Sequence, residues 1–405
     1  LPNKPPAPRV SAGANALARN MASEGISTEV TPPDGEAALS ANRIAALDYA
    51  RFFAAMMVLA YHWTYSGISL GRVTSIELIE PVAAVSRFGL LGVDLFFLIS
   101  GYVIFYSAQG RTAGRFATAR VVRLYPLFWV CLILTTLVCN TLGARAYHVS
   151  WQALLANLTM LAPVFGYRHA DWVYWTLVLE LSFYAAVTLL LLLRLGGRLG
   201  AVISVWPFVM LGASAAGLGH LPLLGGYYFL FAAGALFAHL RESKRAWLSV
   251  PLIVCVVMSI RRVAQRWPVF DDGQVSVAGL VGVTLMSAFF LFFLALNTPA
   301  VRKLRLPMSR ILGAVSYPTY LLHAVIGYIV LQHVATDANK VAVWIIMLAT
   351  VLAASWALHH LVERRMGPLW RRLGASTVGR GVEFLESVVH RQRPAPSGRT
   401  KISGQ

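Results

Sequence analysis

Apolar runs separated by short stretches rich in arginine, glycine and proline recur along the chain from residue 44 to residue 362. An α-helix rises 1.5 Å per residue, so about 20 apolar residues match the roughly 30 Å of a bilayer's hydrocarbon. The pattern predicts about ten spanning helices, near residues 44–66, 88–108, 121–142, 172–195, 199–218, 225–241, 246–260, 275–296, 311–334 and 341–362. The segment 150–165 (SWQALLANLTMLAPVF) is too short to span and reads as an interfacial or re-entrant helix. Residues 1–42 carry no apolar run and are rich in Ala, Pro, Ser, Asn and Gly, which predicts a disordered tail and not a signal peptide. The chain begins at Leu1, and Met21 is a candidate start. Residues 43–365 are expected to form one membrane domain, and residues 366–405 a basic tail.

Composition agrees with the pattern. Of 405 residues, 57% are hydrophobic and 13% charged, where a soluble chain averages roughly 25% charged. The mean hydropathy is +0.63. The expected class is an all-α polytopic membrane protein. A net charge of +18 invites nucleic acid as a partner. The basic residues, however, lie in short clusters between apolar runs and in the tail, as topology signals do, and form no aromatic-interleaved stripe. With a cytoplasmic N-terminus, the inner loops hold Arg111, Arg115, Arg120, Arg123, Arg194, Arg198, Arg241, Lys244, Arg245, Arg302, Lys303, Arg305 and Arg310. The outer loops hold fewer: Arg72, Arg87, Arg145, Arg168, Arg261, Arg262, Arg266 and Lys340. The positive-inside rule then places both termini in the cytoplasm. Cys131, Cys139 and Cys255 lie in apolar runs without metal-type spacing and read as small core residues.

Ionisable groups inside the runs point to chemistry, because such groups are rarely lipid-facing. His62 follows Arg51 on the first span by about 16 Å and lies about 6 Å from that span's outer end. Asp94 lies about 9 Å below the outer end of the second span. Glu180 is about 12 Å in from the outside on the fourth span, and His323 about 18 Å from the inner end of the ninth. All four reach one layer. A carboxylate beside an imidazole fixes its tautomer, so Asp94 is the expected partner of a general-base His62. At the inner face, Arg120 and Arg123 share one side of a helix. That pair reads either as a phosphate site or as anchoring to anionic lipid.

These segments resemble the acyltransferase 3 family of bacterial integral-membrane O-acyltransferases, over roughly residues 43–365. The matching pieces are ALDYARFFAAMMVLAYH, with Arg51 and His62 in an Arg-x10-His pattern, GLLGVDLFFLISGYVI, RVVRLYP, WTLVLELSFY and SYPTYLLH. The resemblance implies transfer of an acyl group, commonly acetyl, from cytoplasmic acyl-CoA to a hydroxyl of an extracytoplasmic or lipid-linked carbohydrate. By position it makes His62 the catalytic histidine, with Arg51, Arg120, Arg123 and Tyr125 on the CoA side. It implies no metal, a location in the bacterial inner membrane and, since no SGNH-type domain follows the spans, the stand-alone form with a possible separate periplasmic partner.

The expected mechanism has His62, held by Asp94, deprotonate the acceptor hydroxyl, or else carry the acyl group covalently. Glu180, Ser316, Tyr317, His323 and Trp175 are expected on the substrate side. Loop 143–171 with Trp172 (Tyr147, His148, Trp151, Tyr167, His169 and Asp171 among it) is either an acceptor surface or an interfacial aromatic belt. The rival readings are a proton-coupled secondary transporter and a non-catalytic partner in polysaccharide export. The absence of an internal repeat of the Arg-x10-His or Asp94 features counts against the transporter.

Overall fold

The computed structural model describes residues 44–271 and 274–391. The expected tail at 1–42, and residues 392–405 of the expected tail at 366–405, lie outside the described residues. Among the described residues the regular structure is helical apart from a two-residue antiparallel ladder pairing Phe270–Asp271 with Gln274–Val275. The main helices are α1 Ala45–Tyr61, α2 Leu91–Ala108, α3 Ala113–Thr141, α4 Trp175–Leu192, α5 Leu199–Ala215, α6 Tyr228–Ser243, α7 Ser249–Arg266, α8 Val277–Leu296, α9 Ser309–Leu322, α10 Val325–Val334, α11 Lys340–Leu358, α12 Gly367–Gly374 and α13 Arg380–Arg391.

Among the described residues, seven helices are long and apolar enough to cross a membrane, or eight if the bent pair α9 and α10 forms one span. This is an all-α polytopic membrane protein. The other two of the expected ten are helical but fail that measure. The apolar run of α1 is broken by Asp48 and Arg51, and α6 has only 16 residues. The short segment at 150–165 is indeed no span. Ser150 caps a helix over Trp151–Leu158, its Oγ accepting from Ala153 N at 3.2 Å.

The core is built around α6, in which every residue from Tyr228 to Ala238 is buried. A helix apolar on all sides is stable only when other helices surround it. Its closest neighbour is α2, and small residues set the approach. A Cβ on Gly101 would lie 2.0 Å from Phe231 O, and one on Gly234 would lie 2.0 Å from Leu98 O. Helices in lipid gain stability from such close backbone packing because hydrocarbon gives no hydrophobic drive between them. By contrast α11 has one buried residue, Ser355, and its apolar face is left to lipid.

The sequence suggested a polar tail beyond residue 363. Instead the helix continues through π-helical turns at His359–Arg365 and Ala375–Gly379 as far as Arg391. It packs on α3: the Trp370 ring lies 6.3 Å from Trp129, and a Cβ on Gly114 would meet Glu383 Cγ at 2.9 Å. Its spacing of Leu369, Leu373, Leu385 and Val388 is helical, a signal that the high arginine content obscured.

Candidate active site

The α9–α10 pair bends by 68° at His323 and Ala324. A break in a membrane helix frees backbone groups that must find partners inside the protein. Side chains from distant elements supply them. Trp63 Nε1 donates to His323 O at 2.7 Å. The fully buried Asp171 accepts from Val325 N, the first amide of α10, at 2.9 Å and from Val173 N at 3.1 Å. The Tyr320 hydroxyl lies 2.7 Å from Thr176 Oγ1 and 3.1 Å from Val173 O, tying α9 to the start of α4. Asp171 lies just outside the spans. Burial pushes its carboxyl up to about 6, although the two amides and the Arg72 cation pull the other way.

The break aims His323 at His62. His62 opens a π-helical segment, His62–Ser66, at the end of α1, a local widening that recurs at functional sites. Its Nδ1 donates to Val58 O at 2.8 Å and stands 3.2 Å from His323 Nε2. His323 in turn donates from Nδ1 to Tyr320 O at 2.8 Å. Both Nδ1 protons are therefore committed, and the His323 Nε2 lone pair faces the proton of His62 Nδ1. This network fixes the tautomers. It leaves Nε2 of His62 with its lone pair and with no hydrogen-bond partner among the described residues. The arrangement is that of a general base. The rings are 4.9 Å apart at 72°, and both residues are buried. Arg72 covers the edge of this layer, its guanidinium 3.4 Å over the Trp172 ring and 5.5 Å from that of Tyr328. Arg72 thus occupies one face of Trp172, among the aromatic residues at the 143–171 loop.

Asp94 is not the partner of His62. It pairs with Arg262 of α7, whose guanidinium also lies 4.2 Å over the Tyr227 ring. The depth argument put Asp94 and His62 in the same layer, but depth along a helix says nothing about which side of it a residue faces. Arg262 itself, expected in an outer loop, lies within α7 and accompanies Asp94.

The remaining expected residues gather elsewhere. Arg51 pairs with Asp48 at 3.4 Å and lies within electrostatic reach of Arg123 and Glu180. Arg123 pairs with Glu363 at 2.7 Å, and its guanidinium is 5.8 Å from the Tyr317 ring. Arg120 lies 5.9 Å from the Tyr184 ring. Glu180 accepts from Ser100 Oγ at 3.1 Å and from the Tyr184 hydroxyl. It thus joins the arginine cluster rather than the histidine layer. Tyr317 donates to Leu124 O at 3.1 Å, and Tyr125 to Thr159 O at 3.1 Å. Ser316 bonds only within its own helix, to Leu312 O at 2.6 Å, and the Trp175 ring packs on Tyr227 and Phe97. The structure gives neither of them a polar contact with the histidines. Among the described residues, no group of three or more His, Cys, Asp or Glu could hold a metal ion.

Sequence reasoning passed over Trp63, Tyr320, Arg72, Arg262 and Glu363 as site residues, and valued Asp171 only as part of a loop. Asp171 had a local signal, an acidic residue directly before a helical apolar run. The others had none, since each acquires its meaning from a partner far away in the chain.

A histidine pair buried between membrane helices, with Arg51 about 16 Å away along α1 and the Arg120–Arg123 pair on α3, suits the class of intramembrane group-transfer proteins. The family comparison names that class. A model of the acyltransferase 3 family, described as an acyltransferase domain, matches residues 44–360. The chain belongs to the acyltransferase 3 family, and it is a multi-pass membrane acyltransferase. No functionally curated protein and no solved structure matches it.

Proposed function

We propose that the protein moves an acyl group, most simply acetyl, from acyl-CoA on the cytoplasmic side to a hydroxyl of an extracytoplasmic or lipid-linked carbohydrate, in the inner membrane of a bacterium. The observation that carries this reading is the His62–His323 pair, which leaves His62 Nε2 as a base at the end of α1 opposite Arg51. Arg51, Arg120 and Arg123 supply cations for the phosphates of CoA, and the pantetheine arm runs along α1 toward His62. His62 Nε2 takes the proton of the acceptor hydroxyl as its oxygen attacks the thioester carbonyl. The C–S bond then breaks, and the CoA sulfur leaves with the proton returned by the imidazolium. While it is charged, that imidazolium is held by Val58 O and His323 Nε2, so His323 takes the orienting role expected of Asp94. A glycan acceptor, and a separate protein that receives or passes on the acylated product, belong to the same reading.

The test uses membranes containing the protein, labelled acetyl-CoA and a panel of cell-surface glycans. Wild type is expected to label a glycan, and His62→Ala to lose at least about 10³-fold of that transfer, the upper part of the range for general-base removal. Normal transfer by His62→Ala would end the assignment of His62 as the base.

A further inference from the structure

The family match ends at residue 360, yet the helical continuation reaches back to the arginine cluster in two places. Glu363 bridges two bases: one carboxylate oxygen is 2.7 Å from Arg123 Nη1 and the other is 2.5 Å from His359 Nδ1. It lies in the π-helical turn His359–Arg365, a backbone form frequent at functional sites. The second place is a cavity of about 280 Å³ beside Arg120, lined by Arg120 and Tyr125 of α3, Leu181 and Tyr184 of α4, and Val382 and Leu385 of α13. Tyr125 and Tyr184 donate their hydroxyls to Thr159 O and Glu180, so they bring ring surface to the cavity. Arg120 Nε is buried and makes no hydrogen bond among the described residues. A slot of apolar and aromatic surface edged by a guanidinium suits a flat base that carries phosphate, because arginine both stacks on rings and pairs with phosphate oxygens.

We infer that residues 359–391 complete the donor site: the adenine of CoA fills the half-open cavity walled on one side by Val382 and Leu385, and a CoA phosphate takes Arg123 from Glu363. This rests on the acyl-CoA reading above and adds to it a wall and an internal competitor. Without donor, Glu363 balances a cation that stands near another, Arg51. With donor, the carboxylate stays with His359 and the phosphate occupies the fork of Arg123.

The experiment measures binding rather than turnover: equilibrium dialysis of labelled CoA against the purified full-length protein in detergent. Glu363→Gln is expected to bind CoA about fivefold to tenfold tighter, and Leu385→Trp, which fills the cavity, about tenfold weaker. Val382→Phe is a second, milder filling variant expected to weaken binding in the same direction. Pantetheine, which lacks the nucleotide, should bind all of them alike. Unchanged CoA affinity in the folded filling variants would remove the cavity from the donor site. Unchanged or weaker binding by Glu363→Gln would overturn the competitor role. If the wild type binds no CoA at all, the acyl-CoA reading itself falls, and this inference falls with it.

Discussion

The two ends of α1 handle ionisable groups in opposite ways. Around His62 the buried imidazoles are arranged as neutral groups, each satisfied by backbone carbonyls and by one another, without a carboxylate in contact. Around Arg51 the groups are charged: Arg123 is balanced by Glu363, Arg51 by Asp48, and Glu180 sits among tyrosine and serine hydroxyls. A base must keep its lone pair, which a dry neutral setting preserves. On the proposed reading, a site for a multiply charged donor must instead hold its own cations until the donor arrives, and internal acids serve that end. The difference explains why one helix can carry both an arginine and a histidine through an apolar bundle.

The largest expected effect tests whether the histidine layer is really free of acid. Asp94 is buried and pairs with the partly exposed Arg262 away from His62, so removing Arg262 strands a buried carboxylate and should cost about 3–5 kcal/mol of stability, and removing Asp94 less. Thermal unfolding of Asp94→Asn, Arg262→Gln and the double variant is expected to show a double-variant loss smaller than the sum. A folded, stable Asp94→Asn with transfer abolished would break the comparison and return Asp94 to the catalytic base.

Asp171 gives a pH-dependent test of the break that carries His323. Its carboxyl rises from 3.8 to about 6 in the folded protein, so its contribution to stability is full below about pH 4 and is lost as pH rises through 6. The loss is on the order of 3 kcal/mol at most, at about 1.4 kcal/mol per pH unit. Unfolding curves between pH 4 and 7 should therefore show a falling component in wild type that is missing in Asp171→Asn. Identical slopes would mean that the carboxyl titrates as it does in water.

The third test separates His323 from a packing residue. His323→Ala removes one of the two acceptors that face the His62 Nδ1 proton and is expected to lower kcat about 10²-fold, with the KM for acyl-CoA unchanged. His323→Gln, whose side-chain oxygen can accept the same proton, should restore part of that loss. Equal losses in kcat and in donor affinity would show that the two ends of α1 are not separate.

Much of the fold was legible from apolar runs alone, because span length is set by a fixed rise per residue. The break at His323 was not. SYPTYLLHAVIGY reads as one continuous span, and the bend exists only because Trp63 and Asp171 satisfy the backbone it exposes. Likewise Ser316 looked polar and available, yet its hydroxyl is taken up by Leu312 O one turn away.

The sequence by itself determined that this is a helical membrane protein, that Arg51 and His62 share a helix at a set separation, and that arginines gather at one end of it. Those are one-dimensional facts, carried by spacing along a regular helix. Tertiary structure alone decided that His62 meets His323 and not Asp94, that Glu180 sides with the arginines, and that residues beyond 360 reach Arg123. Each depends on which way a helix is rotated and which distant helix packs against that face, and rise per residue does not encode rotation against a neighbour.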